Sequence, residues 1–210
     1  MYQIIKVKTI DEYKRMNKKE AREYYNWYLN QIDIRVPIFI KYVNSFPNYR
    51  NWKGNFTPES LKKLGKWLCE NMKKVPESKT ELLKLYYSFP EISRKTYPDL
   101  NSWLKGMKIE DWTLSERTFS YCFDVGAYLS KVIILELPYL YWELPLNLGK
   151  TNIIRNRPII KGFKNRSLQY FEFYNTITGN CFHMFRNEKD NNHLYNTFQF
   201  LIQKEEESIV

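Results

Sequence analysis

Apolar residues recur at helical spacing through the first two thirds of the chain, and local signals mark where the helices begin. Thr9 stands three residues before Glu12, which is the spacing of a capping box and predicts a helix over residues 11–30. Pro37 interrupts the next apolar stretch, so we expect either a kinked continuation or a second short helix there. The run TPE at positions 57–59 places a cap, a proline and an acidic residue together and predicts a further helix start.

The longest and most apolar predicted helix spans roughly residues 114–136. Its apolar side chains cover more than half of its circumference, so we expect it at the centre of the fold. Gly126, Ala127 and Ser130 have small side chains or none, so another element can approach this part of the helix closely. Cys122 lies on the apolar face, where burial raises the pKa of a thiol and makes it a poor nucleophile.

After Pro138 the spacing of apolar residues changes from about 3.6 to 2, which indicates short β-strands. Five segments show this alternation: residues 139–144, 151–155, 158–163, 168–175 and 180–186. Thr178, Gly179 and Asn180 supply turn chemistry and predict an antiparallel hairpin between the last two segments.

The order of these patterns predicts an α+β fold in a single compact domain over residues 1–210. A helical part over about 9–136 packs on a mostly antiparallel sheet within about 137–190, and helical spacing returns over 192–203. A chain of 210 residues is long enough to bury a core without metals or disulfides. We predict no cofactor and no metal, and the oligomeric state stays open.

The sequence also predicts where the protein resides. It contains no run of 18 uncharged apolar residues, so we expect no transmembrane helix and no membrane association. The first sixteen residues lack the pattern of a secretory signal peptide, which favours the cytoplasm. The three cysteines are far apart and odd in number, as expected of reduced thiols rather than a disulfide framework.

The net charge of +10 has two interpretations. Residues 1–120 hold 23 basic and 14 acidic side chains, whereas residues 121–210 hold 10 and 9, so the excess lies in the helical half. A basic surface can bind nucleic acid through its phosphates. Alternatively, the abundance of lysine, asparagine and tyrosine reflects the composition of an AT-rich genome.

Candidate catalytic or metal-binding residues are few. Cys181 and His183 would point to the same face of a predicted strand, and His193 follows ten residues later, but this spacing matches no zinc module. A nucleophile built from Cys122, His183 and Asp124 has no local support. Whether the chain is an enzyme is uncertain, and we assign no catalytic residue.

Candidate binding residues are basic or aromatic. The segment 148–166 holds six cations and no acidic residue, and two antiparallel strands would align several of them on one face. That face either contacts phosphate or an acidic protein partner, or is the solvated outer face of an edge hairpin whose cations deter aggregation. These cations are Lys150, Arg155, Arg157, Lys161, Lys164 and Arg166. Trp52 and Trp103 stand in polar surroundings and are the candidates for exposed anchors of a partner.

Several segments together resemble a group of small Firmicutes proteins of about 200 residues. These segments are EAREYYNWYLNQIDIRV, FTPESLKKLGKWL, LSERTFSYCFDVGAYLSKVII, YLYWEL and RNRPII. The resemblance extends over nearly the whole chain and implies one module without an assigned activity. It supplies no catalytic residue.

These observations lead to three functional hypotheses. The first is a non-catalytic protein-binding module, comparable to an immunity protein or antitoxin, that occludes a toxin or effector. The second is a basic accessory protein that binds nucleic acid through the helical half and residues 150–166. The third is an enzyme of unrecognised class with a site near Cys181 and His183.

Overall fold

The computed structural model describes residues 2–187 and 189–207 and is mostly helical (59%). The helices are α1 (Ile10–Arg15), α2 (Lys18–Asn44), α3 (Ser60–Asn71), α4 (Lys79–Ser88), α5 (Glu91–Thr96), α6 (Leu100–Met107), α7 (Glu116–Glu136), α8 (Phe173–Arg186) and α9 (His193–Glu206). The strands are β1 (Lys74–Pro76), β2 (Trp112–Leu114), β3 (Tyr141–Glu143) and β4 (Ile159–Lys161). They form two separate antiparallel pairs, β1 with β2 and β3 with β4. The predicted α+β fold with a C-terminal sheet is therefore wrong, and the fold is mainly helical.

The predicted capping box at Thr9 and Glu12 is confirmed, but the helix that it begins is short. Met16 adopts an extended backbone and ends α1. Asn17 then caps α2 by accepting the backbone N–H groups of Lys19 and Glu20. A second cap inside the segment thus divides the predicted helix over 11–30 in two, and α2 continues through Pro37 to Asn44.

The predicted central helix is confirmed as α7. It contacts α2, α3, α8 and α9, and its side chains are buried along most of its length. Gly126 lies against Phe173 of α8 so closely that a Cβ atom there would fall 2.1 Å from the ring, as expected from the small side chains in this part of the helix. In length and composition α7 could cross a membrane, but 78% of its apolar window is buried within the protein, as in a core helix.

The C-terminal strand predictions fail for a physical reason. Phe173, Ile177, Cys181 and Met184 recur at helical spacing and are all buried, so residues 173–186 form α8 rather than two strands and a turn. Residues 151–155 form turns. Short apolar runs fit either period, and packing against α7 selects the helix. Parts of the segments 139–144 and 158–163 do pair, as β3 and β4, and Phe171 of the segment 168–175 forms an antiparallel bridge with Ile160.

Residues 77–111 form a helical excursion between the paired strands β1 and β2. Helices α4 and α6 pack on each other, with Trp103 fully buried between Tyr86 and Phe89. This small cluster is separate from the main core, which is built from the apolar faces of α2, α3, α7, α8 and α9.

Candidate functional site

Both tryptophans predicted as exposed anchors are buried. Trp52 is 3% exposed, and its indole N–H donates to the Ser60 carbonyl at 3.0 Å. Trp103 has no exposed surface and forms the core of the excursion. The prediction of exposure is wrong for both, because polar neighbours in sequence do not show which side chains the fold brings over the ring.

The predicted basic face of residues 148–166 is divided by the fold. Arg157 is buried and pairs with Glu172 at 3.2 Å, while Lys161 pairs with Glu143 at 3.1 Å. Arg155 is half-buried. Three of the six cations are solvent-exposed, namely Lys150, Lys164 and Arg166. The expected alignment on two strands is wrong, since only Lys161 lies in a strand.

The candidate pair Cys181 and His183 is also separated. Both lie on α8, where residues two apart point in different directions, so Cys181 is fully buried and His183 is exposed. The Cys181 thiol instead lies 3.7 Å from that of Cys122, and this hydrogen bond together with burial raises the pKa of Cys181 well above its ordinary value. The described part of the chain contains no group of three or more His, Cys, Asp or Glu side chains that could hold a metal ion.

A second thiol, Cys69, lies 3.8 Å from Nδ1 of His193, a pair that the sequence did not suggest. His193 Nδ1 is 2.9 Å from the carbonyl oxygen of Asp190, which requires the proton on Nδ1. The nitrogen facing the thiol therefore carries a hydrogen and cannot accept one. Burial raises the pKa of Cys69 to about 11 and lowers that of His193, so this contact leaves the thiol unactivated.

The outer face of α2 carries exposed apolar side chains in a row, which we name the α2 stripe: Trp27, Ile34 and Ile38, with Ile4 of the N-terminal segment. Their exposed fractions are 36%, 48%, 59% and 40%. The helical residues follow a spacing of seven and four, which places them on one line along the helix. Trp27 is the tryptophan with the largest exposed fraction.

The α2 stripe borders two clefts on either side of the N-terminal segment. One cleft, of about 530 Å³, is lined by Ile4, Tyr24, Trp27 and Phe119 among others. The second, of about 370 Å³, reaches from Ile38 down to a buried ion pair. Clefts beside an exposed tryptophan offer pockets for the apolar side chains of a partner.

The ion pair beneath the second cleft holds the N-terminal segment in place. Arg35 donates from Nε and Nη2 to the two carboxylate oxygens of Asp124, at 2.7 and 2.9 Å. The Tyr2 hydroxyl also donates to Asp124, and the Ile5 backbone N–H donates to Ser120 at 3.0 Å. Burial and the Asp124 charge raise the pKa of Tyr2. The segment is thus fixed beside α2, and no local pattern in the sequence indicates this pairing.

No protein-family model, curated protein or solved structure matches the chain.

Proposed function

We propose that this chain is a cytoplasmic, non-catalytic protein-binding module that acts by covering the working surface of a partner protein, as immunity proteins and antitoxins do. The observation that carries the proposal is the α2 stripe, in which Trp27 and three isoleucines meet solvent in one row. Exposed apolar patches beside polar rims mark interaction surfaces.

The composition of the stripe suits a protein partner. Tryptophan is enriched among the residues that dominate binding energy, and aliphatic neighbours exclude water around it. The buried Arg35–Asp124 pair fixes the N-terminal segment, so the two clefts exist before binding and little ordering entropy is lost on association.

The test begins with tagged protein purified from lysate of the native host after nuclease treatment. A retained protein is then prepared separately, and its affinity is measured for the wild type and for Trp27→Ala and Ile38→Asp. Each substitution should weaken binding by about 30-fold or more, equivalent to about 2 kcal/mol at a binding hot spot.

Ile92→Asp is the matched control, because Ile92 is 74% exposed on the excursion, away from the stripe. Its affinity should equal that of the wild type. Equal binding by all three variants would refute the stripe as the contact surface. Failure of the wild type to retain any protein in stoichiometric amount would refute the binding module itself.

A further inference from the structure

A second surface, formed by residues 41–74, has chemistry unlike that of the α2 stripe. This segment holds eight basic residues and two acidic ones, a net charge of +6. The basic residues are Lys41, Arg50, Lys53, Lys62, Lys63, Lys66, Lys73 and Lys74, and all are exposed. More than half of the protein's net charge of +10 therefore lies in this short segment.

Two contacts show that the loop before α3 runs along that helix. The Tyr49 hydroxyl donates to Glu70 at 2.7 Å, at the end of α3. The Trp52 indole donates to Ser60 at 3.0 Å, at the beginning of α3. The loop is thus antiparallel to the helix, and its exposed cations Arg50 and Lys53 each follow directly after a residue that contacts α3.

The exposed side of α3 supplies the central cations. Lys62, Lys63 and Lys66 lie on the face opposite the buried leucines. Of these three lysines, only Lys66 has a carboxylate of the described residues within ion-pair distance, namely that of Glu70 at 3.9 Å. We name Arg50, Lys53, Lys62, Lys63 and Lys66 together the α3 face.

The contrast with residues 148–166 decides where a polyanion would bind. There the exposed charge of a segment with six cations and no acidic residue is reduced by the partners Glu143 and Glu172 and by partial burial. The α3 face keeps its charges exposed, with Lys66 near Glu70 at 3.9 Å and Lys62 over the Tyr195 ring at 4.3 Å, so the field of its cations reaches solvent.

We propose that the α3 face binds the phosphate backbone of duplex nucleic acid without reading its sequence. The helix is about 18 Å long, which spans about five base pairs at 3.4 Å each. The aromatic side chains of this region are buried (Tyr49, Trp52 and Trp67) or half-buried (Tyr42, Phe46, Phe56 and Tyr195). None of them presents an exposed ring on which an unpaired base could stack, which favours backbone contact with a duplex over binding of a single strand.

The test measures binding of a labelled 20-base-pair DNA duplex by fluorescence anisotropy between 50 and 150 mM salt. Five phosphate contacts predict a slope of log K against log salt of about −4.5, so wild-type affinity should rise roughly 140-fold as salt is lowered. Lys62→Gln with Lys63→Gln and Lys66→Gln should reduce the slope to about −1.8 and the gain to roughly sevenfold.

The matched control is Lys150→Gln with Lys164→Gln and Arg166→Gln, which removes the same charge from three exposed cations. It should keep the wild-type slope. An equal loss of slope in both triple variants would show that only net charge matters and would overturn the proposal.

Two further probes separate other polyanions. Tighter binding of a single strand of the same length would contradict duplex recognition. Binding of vesicles containing phosphatidylglycerol, without binding of the duplex, would assign the α3 face to an anionic membrane surface instead. A wild type that binds no duplex at 50 mM salt would reject the proposal outright.

Discussion

Replacing Asp124 by asparagine removes one charge from the interior and leaves its partner behind. Asp124 is 1% exposed and Arg35 is 9% exposed, so water cannot solvate the guanidinium that remains. The carboxylate accepts two hydrogen bonds from Arg35 and one from the Tyr2 hydroxyl. An amide of the same shape has one acceptor oxygen and places an NH₂ group against these donors.

Breaking a buried ion pair by removing one partner costs about 3–5 kcal/mol, because the other charge stays desolvated. We therefore expect Asp124→Asn to lower the free energy of unfolding by about 3–5 kcal/mol, a large share of the 5–15 kcal/mol typical of a native protein. The N-terminal segment should also be held less firmly beside α2, since the amide offers a single acceptor oxygen to the donors of Arg35 and Tyr2.

Urea unfolding followed by circular dichroism measures this loss, with intrinsic tryptophan fluorescence as a second probe of cooperativity. Asp33→Asn is the control, because the Lys131–Asp33 pair has the same length of 2.7 Å but Asp33 is 74% exposed. That pair should contribute less than about 1 kcal/mol.

The double variant Arg35→Met with Asp124→Leu should recover much of the lost stability, since apolar side chains can replace a buried pair. The reasoning would be refuted if Asp124→Asn proved no more destabilising than Asp33→Asn.

Three other predictions concern the interior. Gly126→Ala should lower the stability of the protein in thermal unfolding by about 1–2 kcal/mol, because the clash with Phe173 outweighs a helix-propensity gain of about 1 kcal/mol. Stability equal to that of the wild type would contradict the close approach of the two residues. Burial lowers the pKa of His193 below its ordinary value of 6.5. As pH falls from 7 to 5, this histidine therefore binds a proton more readily in the unfolded state than in the folded state. The free energy of unfolding should consequently decrease over that range. Because one proton is involved, the free energy of unfolding changes by at most about 1.4 kcal/mol per pH unit. Urea titrations of His193→Asn at several pH values should show a smaller dependence on pH. Trp103→Ala should lower the free energy of local unfolding of the excursion by about 3–5 kcal/mol. Hydrogen exchange should then be faster in residues 79–107 but unchanged in α7.

Some helix starts were predictable because capping is local chemistry, but the cap predicted at Thr57 is wrong, since α3 begins at Ser60 without a side-chain cap. Thr9 and Ser78 accept backbone N–H groups three residues ahead, as the sequence spacing indicates. The core position of α7 was predictable for a related reason, since a helix that is apolar on most sides must be covered on most sides.

The identity of residues 168–186 could not be read locally. Its apolar residues satisfy a period of two over short runs and a helical period over the whole segment. The choice depends on Phe173 packing against Gly126, 47 positions earlier in the chain. Packing between distant segments decides such ambiguous runs, and a single sequence does not display it.

The candidate binding residues failed for the same reason. Arg157 appears unpaired in its own segment, and Glu172 reaches it only after the chain turns back. The sequence therefore indicates where cations are concentrated, whereas the fold determines which of them stay exposed.

Ile34 and Ile38 of the α2 stripe contribute little to the core, and this strengthens the assignment of the stripe to binding. Val36 and Phe39 on the inner side of α2 are almost completely buried and supply the core, whereas Ile34 and Ile38 on the outer side are about half exposed. Substitutions at such exposed positions usually change stability by no more than about 0.5 kcal/mol. Loss of partner affinity in Ile38→Asp, with unfolding close to wild type, would therefore report on recognition rather than on folding.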